Sequence, residues 1–328
     1  MKELIVLLLL FIRGIIVAQD AQDWRIPPII EEMGPEYIIY RSDEKITILC
    51  KASGIPTPIY KWTHNGRPLN LNAGHVKMSS VDGTLTFNPV TSLDEGYYQC
   101  IAQNLYGRDL SVVAWLRRAV LGRYPPQEPR IFSVDEGQAF VLPCAPVKSV
   151  PPPEFSWSLG KDVFDANPTS VALDERVQID DNGNLNFAYI TRGDSKDGNI
   201  YTCNRFNNYL DVTTGGSYSK IHVKPGSLVN REPSLMYSTP RKMIALRGQY
   251  EVRFKCFFSG IPAPSVSWLR LGGTLLSGRY ALEASNTELV IQHVREADVG
   301  IYQCIARNSV GTSFVTFALN LECKINVY

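Results

Sequence analysis

Three stretches of this chain alternate apolar and polar residues with the two-residue period of a half-buried strand, and each ends on a cysteine. Ile46, Ile48 and Cys50 share one face, as do Phe140, Leu142 and Cys144, and Val252, Phe254 and Cys256. A second alternating stretch follows each of them, turning Tyr60 and Trp62, Phe155 and Trp157, and Val266 and Trp268 inward. Between the two lies Ser53-Gly54-Ile55-Pro56-Thr57-Pro58, repeated almost literally as Ser259-Gly260-Ile261-Pro262-Ala263-Pro264. Its prolines predict a stiff loop where strand pairing stops. Asn65-Gly66 supplies the positive-φ positions of a tight hairpin turn. Residues 83–87, 183–187 and 287–291 predict matching strands. Asp94-x-Gly96-x-Tyr98 and Asp298-x-Gly300-x-Tyr302 predict a corner before a further cysteine. In the middle stretch Ser195 and Asp197 fall at those Asp and Gly positions, which predicts a corner loop built differently. After the second cysteine, Ala102-x-Asn104-x-x-Gly107 and Ala306-x-Asn308-x-x-Gly311 turn a last hairpin.

The same constellation therefore occurs three times: Cys50, Trp62, Tyr98, Cys100; Cys144, Trp157, Tyr201, Cys203; Cys256, Trp268, Tyr302, Cys304. The cysteines of each set lie 50, 59 and 48 residues apart. A cysteine, a tryptophan about a dozen residues later, and a tyrosine two residues before a second cysteine describe one object. They are the ends of an inter-sheet disulfide, the indole packed on it and a tyrosine corner, in an immunoglobulin-like sandwich. The expected fold class is all-β, three tandem immunoglobulin-like β-sandwiches of I-set type with one inter-sheet disulfide each. Domains are expected at 26–118, 126–224 and 233–321, with a linker at 225–232 and a tail at 322–328. Length alone suggests fewer domains, but the internal repeat overrides it.

Residues 1–18 open Met1-Lys2-Glu3 and then run apolar to Ala18, which reads as a cleaved secretory signal. No later stretch is long and apolar enough to span a bilayer, so the expected product is secreted. An oxidising compartment suits six paired cysteines and leaves Cys323 over, a candidate for an intermolecular disulfide. Net charge is +1, from 33 basic and 32 acidic residues, so no global field attracts nucleic acid. The cluster Arg117, Arg118 and Arg123 reads as solvated charge near a domain junction.

The strings around the framework resemble the amino-terminal part of the neuroglian and neurofascin family of neural adhesion molecules, with contactins and insect hemolin as relatives. They are Pro27-Pro28-Ile29-Ile30, Val141-Leu142-Pro143-Cys144 with Pro151-Pro152-Pro153, Glu175-Arg176-Val177 with residues 182–187, and Ala245-Leu246-Arg247-Gly248. The resemblance covers about residues 25 to 321. It implies a non-enzymatic protein of neuronal adhesion or axon guidance that binds itself or other immunoglobulin-superfamily members. A hemolin-like immune recognition protein and the front of a longer transmembrane receptor at the cell surface are the alternatives. The resemblance also implies that the second and third domains fold against each other, with the bend supplied by Lys224-Pro225-Gly226 through Pro233.

Arg192-Gly193-Asp194-Ser195 is the one short motif with a sharp functional reading: on an exposed loop it would present an integrin-type carboxylate to a metal. An ordinary glycine turn is the competing reading. Asp180-Asp181-Asn182-Gly183 lacks the spaced oxygens and closing glutamate of a calcium loop and reads as a turn. His64, His75, His222 and His293 have no metal-ligand spacing. No nucleophile, phosphate-loop or paired-carboxylate signature stands out, so no enzyme activity, cofactor or small-molecule substrate is implied.

Overall fold

The computed structural model describes residues 25–71, 74–125, 127–246, 250–275 and 278–322. The signal segment and Cys323 lie outside the described residues. The chain divides into two compact units, residues 1–119 and 120–328. The first holds one sandwich and the second holds two.

In the first sandwich, Ile59–His64 pairs with Gly96–Asn104, which pairs with Ala114–Arg118. The facing sheet is Ile46–Ile48, Leu85–Phe87 and Val76–Met78. Tyr37–Tyr40 closes the larger sheet by running parallel to Ala114–Arg118. The same parallel closure recurs between Arg130–Asp135 and Val212–Lys224, and between Lys242–Leu246 and Thr312–Glu322. In each sandwich the alternating positions face inward because only one face of each sheet can leave water. Ile48, Leu85, Phe87 and Leu116 are buried with Cys50 and Cys100 in the first core. Leu142, Leu185, Phe187 and Ile190 surround the second disulfide, and Phe254, Leu289, Ile291 and Phe317 the third.

The disulfides join Cys50 to Cys100, Cys144 to Cys203 and Cys256 to Cys304. Asn65 and Gly66 stand at φ of 52° and 76°, turning the hairpin in which His64 faces Arg67. The last strand of the third sandwich is Thr312–Glu322.

Each framework indole is anchored in the same way. Trp62 Nε1 donates to the Gly83 carbonyl at 2.7 Å, and Trp157 Nε1 to the Gly183 carbonyl at 2.8 Å. Trp268 Nε1 donates to the Asn286 carbonyl at 2.8 Å. All three acceptor residues have positive φ: 71°, 82° and 65°. A left-handed residue aims its carbonyl into the core, and asparagine tolerates that conformation where glycine is missing. The buried N–H is thereby satisfied and the bulk of the indole stays in the core.

Candidate interaction surfaces

The corner before each second cysteine is built around an aspartate. Tyr98 donates its hydroxyl to the Asp94 carbonyl at 2.7 Å, Tyr201 to that of Asp194 at 2.9 Å, and Tyr302 to that of Asp298 at 2.6 Å. Burial pushes all three hydroxyls above the usual phenol range. Each carboxylate also accepts a backbone N–H three residues back, from Thr91, Thr191 and Arg295, at 2.8 Å. A basic side chain completes each corner: His75 at 3.0 Å from Asp94, Arg176 at 2.8 Å from Asp194, and Arg279 at 2.7 Å from Asp298. Sequence reasoning missed these basic partners because two residue types, histidine and arginine, share one structural position.

This geometry corrects two expectations. Asp194, not Ser195, takes the corner position of the middle repeat. Seven residues rather than four separate it from its tyrosine, so a short insertion displaced the match. The integrin-type reading of Arg192-Gly193-Asp194-Ser195 fails with it. Asp194 is 2 % exposed and holds a two-pronged ion pair with Arg176. Arg192 pairs with Glu136 at 3.2 Å, and Ser195 Oγ accepts the Val223 N–H at 3.2 Å. The Asp194 carboxylate is thus fully engaged within the domain. The turn reading of Asp180–Gly183 agrees with the structure: Asp180 Oδ1 accepts the N–H groups of Asn182 and Asn184, both at 2.9 Å.

Among the described residues, two surfaces have the make-up of contact sites. On the first sandwich, Trp115 stacks on Tyr97 with ring centroids 5.2 Å apart and meets Tyr37 edge-on at 5.5 Å. Arg117 lies over the indole at 4.4 Å, so this member of the arginine cluster is half-buried on an aromatic face rather than fully solvated. Tyr97 and Tyr37 are 48 % and 39 % exposed. Such a ladder of rigid aromatic side chains with an arginine has the composition of an interface centre.

Within the second unit, the two sandwiches meet through the strand Val177–Ile179 and the turn after it. Lys255 Nζ reaches Asp181 at 2.9 Å and Glu288 at 3.0 Å. Burial alone would lower the Lys255 ammonium, but its hydrogen bonds to Asp181 and Glu288 hold it above its ordinary value. The Asp181 N–H donates to the Tyr237 hydroxyl at 3.3 Å, and Gln178 Nε2 to the Ala284 carbonyl at 3.4 Å. Gly226 lies so close to the Glu136 backbone that a Cβ would collide with it.

Residues 27–104 match the family described as Immunoglobulin domain, and 236–321 match the Immunoglobulin I-set domain. Contactin-5 of Rattus norvegicus is 33 % identical over 291 residues, 87 % of this chain and 25 % of its own length. Neurofascin of Gallus gallus is 31 % identical over 321 residues, covering 90 % of this chain and 23 % of its own length. The chain thus spans about a quarter of these relatives. Among solved structures, the insect immune protein hemolin superimposes with a TM-score of 0.67 at 22 % identity, over 92 % of this chain and 77 % of that one. The domain arrangement of hemolin has implications for homophilic adhesion of that protein.

Proposed function

The chain belongs to the immunoglobulin family, with neural adhesion proteins of the contactin and neurofascin type as its relatives, and from that premise we propose that it is a non-enzymatic extracellular adhesion and recognition protein. It binds immunoglobulin-superfamily partners, a second copy of itself included, through exposed sheet faces. The observation that carries this reading is the aromatic ladder Tyr37, Trp115 and Tyr97 with Arg117, laid on a sheet face. Three disulfides support an extracellular setting, where such bonds persist. Affinity per domain is modest in contacts of this kind and is raised by presenting many copies on one surface.

The test is aggregation of beads coated with the protein. Wild-type beads are expected to cluster, or to bind beads coated with a relative, and Trp115→Ala beads to lose that binding. A centre residue of this type contributes about 2 kcal/mol or more, roughly a thirtyfold loss in affinity. Beads that bind bacterial surfaces but never each other or a relative would replace adhesion with immune recognition.

A further inference from the structure

The second sandwich departs from the other two at one interior position. Two residues after the second cysteine the strand turns a side chain inward; in the first and third sandwiches this is Ala102 and Ala306, both wholly buried. In the second it is Arg205, 1 % exposed. A guanidinium so deeply buried is ordinarily matched by a carboxylate. Among the described residues, none meets Arg205. Nη2 donates to the Ala145 carbonyl and lies 3.5 Å from the Cys144 sulfur. Nη1 has no hydrogen-bond partner. The charge otherwise lies over ring faces, Tyr124 at 4.3 Å and Phe155 at 5.8 Å, with the Tyr124 hydroxyl as a further neutral partner. Gly216 makes room for this stack, since a Cβ there would run into the Tyr124 ring.

Arg205 forms part of the wall of a cavity of about 620 Å³ on the same sandwich. That is the size of a pocket for a small ligand or a few side chains. Pro146, Val147, Pro152 and Phe155 supply its apolar walls, and the exposed Arg130 also lines it. Asp181 is the one acid among the lining residues, and Lys255 already holds it at 2.9 Å. The cavity therefore carries two cations against one neutralised acid. Burial draws the Arg205 pKa down, partly offset by Tyr124, so a counter-charge would relieve it.

We propose that this cavity is a docking pocket for an acidic side chain of a partner polypeptide, whose carboxylate is held by the exposed Arg130 in the field of the buried Arg205 charge behind the wall and whose aliphatic stem lies against the prolines and Phe155. The walls favour a peptide over a sugar. A sugar needs many free polar partners, whereas the Asn184 amide here is already bound to Asp180 at 3.0 Å. Two separate monocations suit a single carboxylate. The pocket is independent of the adhesion reading and of the aromatic ladder.

The experiment is titration of the isotope-labelled full chain with a terminally blocked Val-Glu-Pro tripeptide and its Gln counterpart, followed by backbone amide shifts. The Glu peptide is expected to produce saturable shifts at residues 145–147 and at Arg205. Affinity is expected to fall about tenfold for the Gln peptide and for Arg130→Ala, and about threefold for Arg205→Ala, which removes the charge behind the wall and installs the alanine of the sister domains. Equal binding of the Glu and Gln peptides overturns the proposal, as does binding unaffected by both substitutions or no saturable shift at millimolar peptide. Binding of sialyllactose or inorganic phosphate at these residues, without the Glu peptide, also overturns it. Should Arg205→Ala unfold the second domain, the Arg130→Ala and Gln arms decide alone. Bead clustering is expected to be unchanged in Arg130→Ala, so failure here and failure of adhesion are separate results.

Discussion

At the residue scale, Asp194 shows how one side chain changes meaning once its partners are visible. In a linear string it completes an integrin-type tripeptide; in the fold it is the caged carboxylate of a tyrosine corner. Asp194→Ala removes the partner of the half-buried Arg176 and uncaps the Thr191 N–H, so the second domain is expected to lose about 3–5 kcal/mol in denaturant unfolding. Gly193→Ala is expected to be nearly neutral, within about 0.5 kcal/mol, because its Cβ meets nothing nearer than Thr191 Oγ1 at 3.6 Å. An integrin-type site would show the reverse pattern, intact folding with lost cell binding in the Asp194 variant. Asp298 gives a pH dependence. Burial would raise its carboxyl, but Arg279, the Arg295 N–H and Tyr280 together hold it below the ordinary 3.8. A carboxyl with a depressed folded pKa contributes stability that is present above the unfolded value and is lost as pH falls through the folded one. The third domain's melting temperature is therefore expected to drop as pH falls from 3.8 downward, and Asp298→Asn to flatten that slope while lowering the melting temperature at neutral pH. The cysteines, tryptophans and tyrosines were readable from the chain because each role admits a single residue type. The basic partners at the corners were not, since a histidine, His75, and two arginines, Arg176 and Arg279, reach the same carboxylate position.

At the scale of elements, the period-two alternation located the strands beside each disulfide, since burial of one sheet face leaves a direct trace in polarity. The parallel closing strands leave a weaker trace. Tyr37–Tyr40 is held by backbone pairing to Ala114–Arg118, more than seventy positions away, and nothing local specifies that register. The positive-φ residue under each indole is intermediate: glycine betrays it in two repeats and Asn286 conceals it in the third. Gly183→Ala forces a side chain both into the left-handed region and onto the Phe155 ring. It is expected to cost about 2–4 kcal/mol, combining the backbone strain with overpacking. Asn286→Gly keeps the carbonyl in place for Trp268 and is expected to change stability by less than about 1 kcal/mol. Thermal melts of the two variants test the shared role. Equal losses in both would mean that the asparagine side chain, not its backbone, supports the third core.

At the scale of the molecule, the triple repeat names an architecture and leaves the choice of partner to surfaces. A sheet face that binds and one that is merely solvated follow the same inward alternation, which is why the aromatic ladder and the Arg205 cavity emerged only with the fold. The contact between the second and third sandwiches is of the same kind: its residues are ordinary surface charges until the two domains are set side by side. Lys255 is the link whose removal distinguishes contact from coincidence. Lys255→Met keeps most of the stem but cuts the ion pair that crosses to Asp181, while Glu288 keeps Arg253 at 3.2 Å. Each sandwich retains its own core and disulfide, so both stay folded. The cost falls on the contact and amounts to about 1 kcal/mol for a half-buried pair. Amide hydrogen exchange at Ile179, Asp180 and Asp181 is expected to speed up by about fivefold, with the amides flanking Cys203 and Cys304 unchanged. Raising the ionic strength should reproduce only part of this, since a pair with Lys255 only 22 % exposed is incompletely screened. Unaltered exchange at those three amides would mean that the charge link contributes nothing to the contact.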